Sequence, residues 1–449
     1  MPAMTTPNLT RPPDGEVIAI MVVWNGLLFL PEGVASVLRE LRPQDDLLIV
    51  ENGSTDGSAE WLHQHYPDIA VLQTGHNLGG AGGFNAGMTA ALRCPRCRYV
   101  WLLDNDIIVE SGALPPLLNQ LAHQPNAAAA GSQICLYQQP DTVQEIGALL
   151  SPWLGALQQR GAGGPRQSPE QPPAPVDYLA ACSLLIRADV LRAIGLFPDF
   201  FIYYDDVEWS QRAGRAGWTL WAVPASVIRH HFSGLKPAAA WREYYRKRNR
   251  TVFLTLYPPR YGHQWALFVY LIHLHRLILH THWCGHTVFH QTYAAALQDA
   301  LNGQLGARAL LPSPQLTCLP DLLQTCAMVW IDLPGQPGDA QLLARLLQSS
   351  TPAIPCQIID AAQPQNPAPA ACPAAIVGEN YRLHTARRAA RVYRYRDGHF
   401  TPLRHPVRDL IITQMLNGLA LLVAMFRAIP DFQRLRTRYR QRQKPLIPD

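Results

Sequence analysis

The stretch WLLDNDIIVE, residues 101–110, runs apolar and aromatic side chains into Asp104-Asn105-Asp106 and then resumes with Ile107, Ile108 and Val109. Ionised carboxylates buried without partners cost several kcal/mol or shift their pKa until they neutralise. A cation is the first candidate to compensate two of them in the middle of an otherwise buried strand.

Working outward, the first 110 residues alternate strand and helix patterns. VIAIMVV (17–23) reads as a fully buried strand, PEGVASVLREL as a helix, DLLIVEN (46–52) as a strand and DGSAEWLHQHY as a helix. A short strand at 69–72, a helix from about Gly83 to Arg93 and the strand YVWLLD (99–104) follow. Continuous β-branched and Leu-rich runs separated by helices predict a mostly parallel sheet covered on both faces. Ligands of such sheets bind beyond the carboxyl ends of the strands, where Asp104 and Asp106 fall.

Further along, the Gly/Pro-rich RGAGGPRQSPEQPPAP (160–175) reads as a mobile loop. VDYLAACSLLI then reads as a strand and RADVLRAIG as a helix. These patterns divide the chain into a flexible tail (1–15), an α/β domain (16–256), a helical extension (257–306), a small α/β or irregular module (307–405) and a basic amphipathic C-terminal helix (406–449).

Of 449 residues, 48% are hydrophobic and 16% charged, which describes a core-forming protein and excludes a disordered chain. The polar, Pro-rich first fifteen residues lack the apolar core of a secretory signal, and nine scattered cysteines do not form a disulfide framework, so a cytoplasmic location is expected. Cys94 and Cys97 form a CxxC without a second ligand pair and read as reduced thiols. A net charge of +5 names no polyanionic partner, and nucleic-acid binding through WREYYRKRNR (241–250) rests on basic and aromatic interleaving alone. LIITQMLNGLALLVAMF, followed by Arg-rich sequence, is short for a bilayer span and reads as a helix on an anionic membrane surface or as a core helix with a solvated tail.

Several segments could carry chemistry. An acid-x-acid pair at a strand end offers hard oxygen ligands to Mg²⁺ or Mn²⁺, sufficient if a diphosphate supplies the rest; turn or cap hydrogen bonds are the plainer explanation. Glu51, at the end of the second strand, can accept from a nucleobase N–H or a ribose hydroxyl, whereas Asp56 of ENGSTDGS is explained by helix capping. HNLGGAGGFNAGM (76–88) brings five glycines into a helix start, suited either to a ligand close to the backbone or to tight helix–sheet packing. It misses the dinucleotide fingerprint, with Asn85 where a third small residue belongs. In FFIYYDDVEWSQRAGRAGW (200–218), adjacent Asp205 and Asp206 sit among aromatics that can raise a carboxylate's pKa, so one could be a general base while capping accounts for the other. His230, at a strand end in VPASVIRHHFSG, is a competent metal ligand on the same edge. His282, His286 and His290 share a helical spacing but bring no carboxylate.

Together and in this order, VVWN, VENGSTDGS, NLGGAGGFNAGM, WLLDND, IGLFPDFFIYYDDVEWSQRAGRAGW, RHHFSG and YYRKRN closely resemble the family-two inverting glycosyltransferases of the GT-A fold, in their rhamnosyl- and galactofuranosyltransferase-like branch. The resemblance spans roughly residues 17–250. It implies a nucleotide-diphospho-sugar donor and a glycan or lipid-linked acceptor in cell-envelope polysaccharide synthesis, with no nucleic-acid partner. It implies Mn²⁺ or Mg²⁺ on Asp104, Asp106 and His230, Asp206 as the base, and Asp205 on acceptor or donor sugar. Trp24, Asn25, Glu51, Asn52, Gly79, Gly80, Gly83, Asn85, Asp104 and Asn105 are the residues it places around the nucleotide-sugar. Two positions depart from the pattern: Glu51 stands where Asp is common, and Pro198 where an acid often follows Gly-Leu-Phe. The QxxRW signature of processive synthases is not present. A non-catalytic sugar-nucleotide-binding subunit is the alternative that the intact Asp206 argues against.

Overall fold

The computed structural model describes residues 8–231, 240–262, 264–283, 286–309, 329–332, 356–358, 374–377, 391–396, 399–403 and 406–440. In chain order the main domain comprises β1 (Asn8–Leu9), β2 (Val17–Val23), α1 (Leu30–Glu40), β3 (Asp46–Glu51), α2 (Ser58–His65), β4 (Ala70–Gln73), α3 (Gly79–Ala91), β5 (Tyr99–Asp104), β6 (Ile107–Val109), α4 (Leu114–His123) and β7 (Ala127–Leu136). It continues through β8 (Gln139–Glu145), β9 (Ala148–Leu150), β10 (Leu157–Gln159), β11 (Ala174–Val176), β12 (Ser183–Arg187), α5 (Ala188–Ile194), α6 (Asp205–Arg215) and β13 (Thr219–His230). Helices α7 (Ala240–Leu256), α8 (Trp265–Trp283) and α9 (Thr287–Asn302) follow.

Among the described residues the main sheet runs β1-β4-β3-β2-β5-β12-β7-β13-β11. β4, β3, β2 and β5 are mutually parallel, and β12 runs antiparallel between β5 and β7. The continuous apolar run of β2 follows from burial on both faces. Ile18, Ile20 and Val22 join one core with Phe84 and Met88 of α3, while Val17, Ala19, Met21 and Val23 join the other with Val34 and Val37 of α1. Each fully buried aliphatic side chain contributes about 1.5–3 kcal/mol, so burial on both faces holds this strand firmly in the sheet.

Three expectations need correction. Residues 8–15 are not a free tail: Asn8 and Leu9 pair with β4, and Arg11 grips Asp46 at 2.7 and 2.8 Å, giving the segment both ladder bonds and a bidentate ion pair. The Gly/Pro-rich segment is not a loose loop, because Arg166 pairs with Glu110 at 2.7 Å, Gln167 N–H donates to Gln133, and β11 joins β13. VDYLAACSLLI is two strands, β11 and β12, separated by a turn at 177–182 that carries Tyr178 and Ala181.

Beyond the main domain, β14 (Val329–Asp332), β15 (Cys356–Ile358), β16 (Ala374–Val377), β17 (Arg391–Arg396) and β18 (His399–Pro402) form a second sheet, parallel except for β18. The rest of 307–405, apart from 307–309 and Leu403, lies outside the described residues, as do 1–7 and the Phe-Ser-Gly after His231. The C-terminal α10 (Pro406–Arg440) packs Ala420, Ala424, Ala428, Leu435 and Tyr439 inward, and a 2.8 Å contact joins its Asp431 to His275 of α8.

Candidate active site

The question posed by Asp104-Asn105-Asp106 is answered by a change of strand partner. β5 lies beside β2 up to Asp104, opposite Val22; the chain then turns at Asn105–Asp106, and β6 leaves to pair antiparallel with the end of β13, Ile107 opposite His230. The two acids therefore sit in a turn at the sheet's carboxyl edge. His231 N–H donates to the Asp106 carbonyl at 2.9 Å, which ties the histidine strand to that turn. Ligand atoms of Asp104, Asp106 and His230 all lie within 4.8 Å of one another.

Their electrostatics fit a cation. Burial first, then the neighbouring charge of Asp106, raises Asp104 to about 7, and the nearby His230 only partly opposes this. For His230, burial disfavours the imidazolium, but its hydrogen bond to Asp106 and the charges of Asp106, Asp104 and Glu145 outweigh that and raise its pKa. Its Nε2 lies 3.2 Å from Asp106 Oδ1, while Nδ1 lies 2.9 Å from Gln144 Oε1. A Gln144 oxygen accepting from Nδ1–H directs the Nε2 lone pair toward the carboxylates, the tautomer that a metal requires. Two hard oxygens and an imidazole suit Mn²⁺ or Mg²⁺ with open positions left for phosphate.

Asp205 and Asp206 open α6 beside this cluster, and Asp104 senses the charge of Asp206. Asp206 Oδ2 accepts from the Tyr178 hydroxyl at 3.1 Å and from Ala181 N–H at 3.2 Å, and Oδ1 accepts from Val207 N–H at 2.8 Å. Burial raises its pKa, against these donors. Burial and then the Asp206 charge push Asp205 well above the ordinary carboxylate range.

The approach to α6 is strained. Phe201, Tyr203 and Tyr204 have φ of 64°, 66° and 68°, a left-handed conformation that bulky side chains rarely hold. Asn249, fully buried on α7, donates to the carbonyls of Phe200, Ile202 and Tyr203 at 3.1, 2.8 and 2.8 Å; buried Arg248 reaches Phe200 O at 2.9 Å and Gly306 O at 2.8 Å. YYRKRN thus does more than carry basic charge. Arg248 and Asn249 face inward because their spacing puts them on the buried side of α7.

The remaining expected residues divide. Glu51 is opposite Val23 in the register, beside the loop that carries half-exposed Trp24, and it accepts from Ser54 N–H at 2.6 Å. Asn25 (φ 50°) accepts from Thr55 N–H at 2.8 Å, and Asp56 accepts from both Ser58 and Leu27 N–H, so it anchors that loop as well as opening α2. Asn105 presses its amide against Gly26, where a Cβ would lie 1.8 Å from Nδ2. Gly80 faces open space.

Four of the expected residues have partners or close packing within the fold. Asn52 is buried, with its amide on Gly79 O and its oxygen on Leu78 N–H, which shapes the glycine loop from below. Asn85 is occupied by both backbone groups of Phe197, at 2.9 and 3.0 Å. Gly83 lets α3 approach Val22, which a Cβ would meet at 2.6 Å; it serves helix–sheet packing. Gly79 (φ +75°) likewise makes room for the Phe201 carbonyl, 2.1 Å from its would-be Cβ. His290 Nδ1 lies 2.9 Å from Ile278 O, and among the described residues Asp104, Asp106 and His230 form the one group placed to hold a metal.

Residues 18–157 match the family described as Glycosyl transferase family 2. The chain carries a family 2 glycosyl transferase domain. N-acetylglucosaminyl-diphospho-decaprenol L-rhamnosyltransferase of Mycobacterium tuberculosis is 27% identical over 212 residues, 41% of this chain and 66% of the relative. Galactofuranosyltransferase GlfT1 of the same species is 30% identical over 208 residues, 45% of this chain and 66% of the relative, so the match falls just short of two thirds of either relative's length. A solved structure of GalNAc-T7 with UDP, GalNAc and Mn²⁺ is similar at a TM-score of 0.42 and 14% identity, over 54% of this chain and 48% of that one.

Gln144 and Tyr178 were not singled out by the sequence, and Arg248 and Asn249 only within YYRKRN, without a role of their own. Gln144 sits one residue before a buried acid in QEIGA, a weak signal, and Tyr178 acquires its place only through the turn between β11 and β12.

Proposed function

We propose that this protein is an inverting, metal-dependent glycosyltransferase that moves a sugar from a nucleotide-diphospho-sugar to a hydroxyl of a glycan or lipid-linked acceptor in cell-envelope polysaccharide synthesis. The observation that carries the reading is the triad Asp104, Asp106 and His230 at the strand edge, with Asp206 on the helix start beside it. Rhamnose and galactofuranose donors are favoured, since the relatives' names specify those sugars.

Asp104, Asp106 and His230 would hold Mn²⁺ or Mg²⁺, which supplies positive charge for a departing nucleoside diphosphate. The chain's own residues supply the rest. Asp206, ionised and steadied by Tyr178 and Ala181, takes the proton from the acceptor hydroxyl as that oxygen attacks the anomeric carbon and the bond to the diphosphate breaks. One displacement inverts the configuration. Asp205 is placed to hold donor or acceptor sugar, while Trp24, Asn25, Glu51, Asn105 and Gly80 border the nucleotide side.

Peripheral attachment at the inner face of the cell membrane belongs to the same reading. Within α10, Gln414–Tyr439 is long and apolar enough to cross a membrane by composition, and it exposes Leu422 and Phe426. Asp431 on His275, and Arg434 and Arg438 on Asn302, hold the helix to the domain, which favours lying on a surface over leaving it. Deleting residues after 405 is expected to reduce flotation with anionic vesicles; unchanged flotation returns α10 to a packing role.

The test of function is transfer or donor hydrolysis with Mn²⁺ across a panel of sugar nucleotides. Asp206→Asn is expected to lower transfer by about 10²–10⁴-fold with donor binding retained. Full transfer by that variant refutes the base assignment.

A further inference from the structure

A cleft of about 620 Å³ lies between α8 and α10, far along the chain from the metal cluster. Trp265 and Phe268 form one wall, Ile429 and Phe432 the other, and Arg436 stands at the rim with its guanidinium 5.6 Å from the Phe432 ring. Its size falls in the ordinary range of small-ligand sites, about 300–1,000 Å³. Trp265 is 70% and Ile429 46% exposed, unusual for large side chains lining one cleft. Two nearby cations turn elsewhere, Arg434 and Arg438 onto Asn302, so the rim charge is Arg436.

A continuous structural path joins this cleft to the candidate base. Tyr178, which donates to Asp206, pairs through its backbone with Ala148 at the foot of the β9–β10 hairpin. At the hairpin's tip the Pro152 carbonyl accepts from Tyr261 and Gly262 N–H at 2.7 and 3.0 Å, Trp153 lies 5.5 Å from the Tyr261 ring, and Trp265 N–H returns to Gly262 O. Trp153 and Tyr261 are both at least half exposed, extending an apolar lane from the hairpin to the cleft.

We infer that this cleft seats the hydrocarbon tail of a lipid-linked acceptor whose head is a phosphate or diphosphate. The inference rests on the glycosyltransferase reading and deepens it by assigning the acceptor a tail site. A largely apolar cleft with Arg436 at its rim matches an anionic amphiphile, because burying the chain is favourable while the rim charge selects an anionic head. A water-soluble glycan would leave the exposed faces of Trp265 and Ile429 uncovered.

The test is calorimetric titration of the full chain with a fifteen-carbon isoprenyl monophosphate below its aggregation concentration, with inorganic phosphate in parallel. The long-chain probe is expected to bind, and Trp265→Ser and Ile429→Gln, both at exposed positions, to weaken it at least tenfold while a nucleotide-sugar with Mn²⁺ binds both variants as it binds the parent. Unchanged probe affinity in both variants, or equal binding of inorganic phosphate, overturns the assignment. Variants that lose vesicle flotation but keep the probe's affinity also overturn it, and give the face to the bilayer. Failure of the parent to bind any nucleotide-sugar would instead refute the glycosyltransferase reading, and the two failures are separately visible.

Discussion

Replacing Asn249 by Ala removes the amide that holds the segment leading into Asp205 and Asp206. Phe200 O keeps Arg248, but Ile202 O and Tyr203 O lose their side-chain donor, and buried Arg248 Nε loses the Asn249 oxygen it meets at 2.8 Å. At about 1–3 kcal/mol for each buried group left unpaired, the loss would be about 3–9 kcal/mol if nothing moved. The segment has reason to move, however. Phe201, Tyr203 and Tyr204 are held at positive φ, and each such residue stores about 1–3 kcal/mol that is released when the clamp is gone. Strain relief therefore offsets much of the loss, and the net destabilisation is expected to stay below about 3 kcal/mol. What suffers is the placement of Asp206, because an error of about 1 Å costs a rate on the order of 10²-fold, or about 2.7 kcal/mol in the barrier. Asn249 is thus a positioning residue, and its variant should keep a Tm within a few degrees of the parent, bind donor with Mn²⁺ unchanged, and lose about 10²-fold in kcat. A variant with kcat within threefold of the parent, or one whose activity loss simply tracks its unfolded fraction, would show that the clamp does not set the base.

Gln144→Leu removes the acceptor that fixes the His230 tautomer, and Mn²⁺ affinity by titration should fall about 10–100-fold with the fold intact; an unchanged affinity would refute the tautomer argument. The Mn²⁺-induced rise in Tm should grow between about pH 5.5 and about pH 7.5. Asp104, raised to about 7 by burial and Asp106, binds protons more tightly folded than unfolded, so its contribution to metal-free stability is present below the usual carboxylate pKa and lost as pH rises through 7. Metal binding needs that carboxylate ionised and His230 neutral, so a Tm shift independent of pH would contradict the cluster's electrostatics. Gly79→Ala forces a Cβ into the Phe201 carbonyl at φ +75° and should cost about 2–4 kcal/mol by chemical denaturation, whereas Gly80→Ala, with open space, should leave stability unchanged and weaken only donor binding; equal stabilities would refute the packing distinction.

The sequence by itself determined the parallel half of the sheet. β2 and β5 begin and end where VIAIMVV and YVWLLD do, because a strand buried on both faces must be apolar at every position and its ends are marked by the first polar residue. It also determined which acids cluster: two carboxylates breaking an apolar run must be compensated, and that requirement is local. The glycines of 76–88 were legible as necessary but not in their separate tasks, since only the packed structure distinguishes Gly83 against Val22 from Gly80 against open space. Asn52 and Asn85 looked like ligand groups because an Asn side chain carries the same donors and acceptors whether it meets a ligand or a backbone. Only the tertiary structure shows the partners they have within the fold, Gly79 and Phe197. Gln144 lies 86 residues from His230, Tyr178 lies 28 from Asp206, and Asn249 lies 46 to 49 from the carbonyls it holds. Hydrogen bonds across such separations have no periodicity to betray them. They exist only once β8, the turn before β12 and α7 have converged on the edge where β5 gives way to β6.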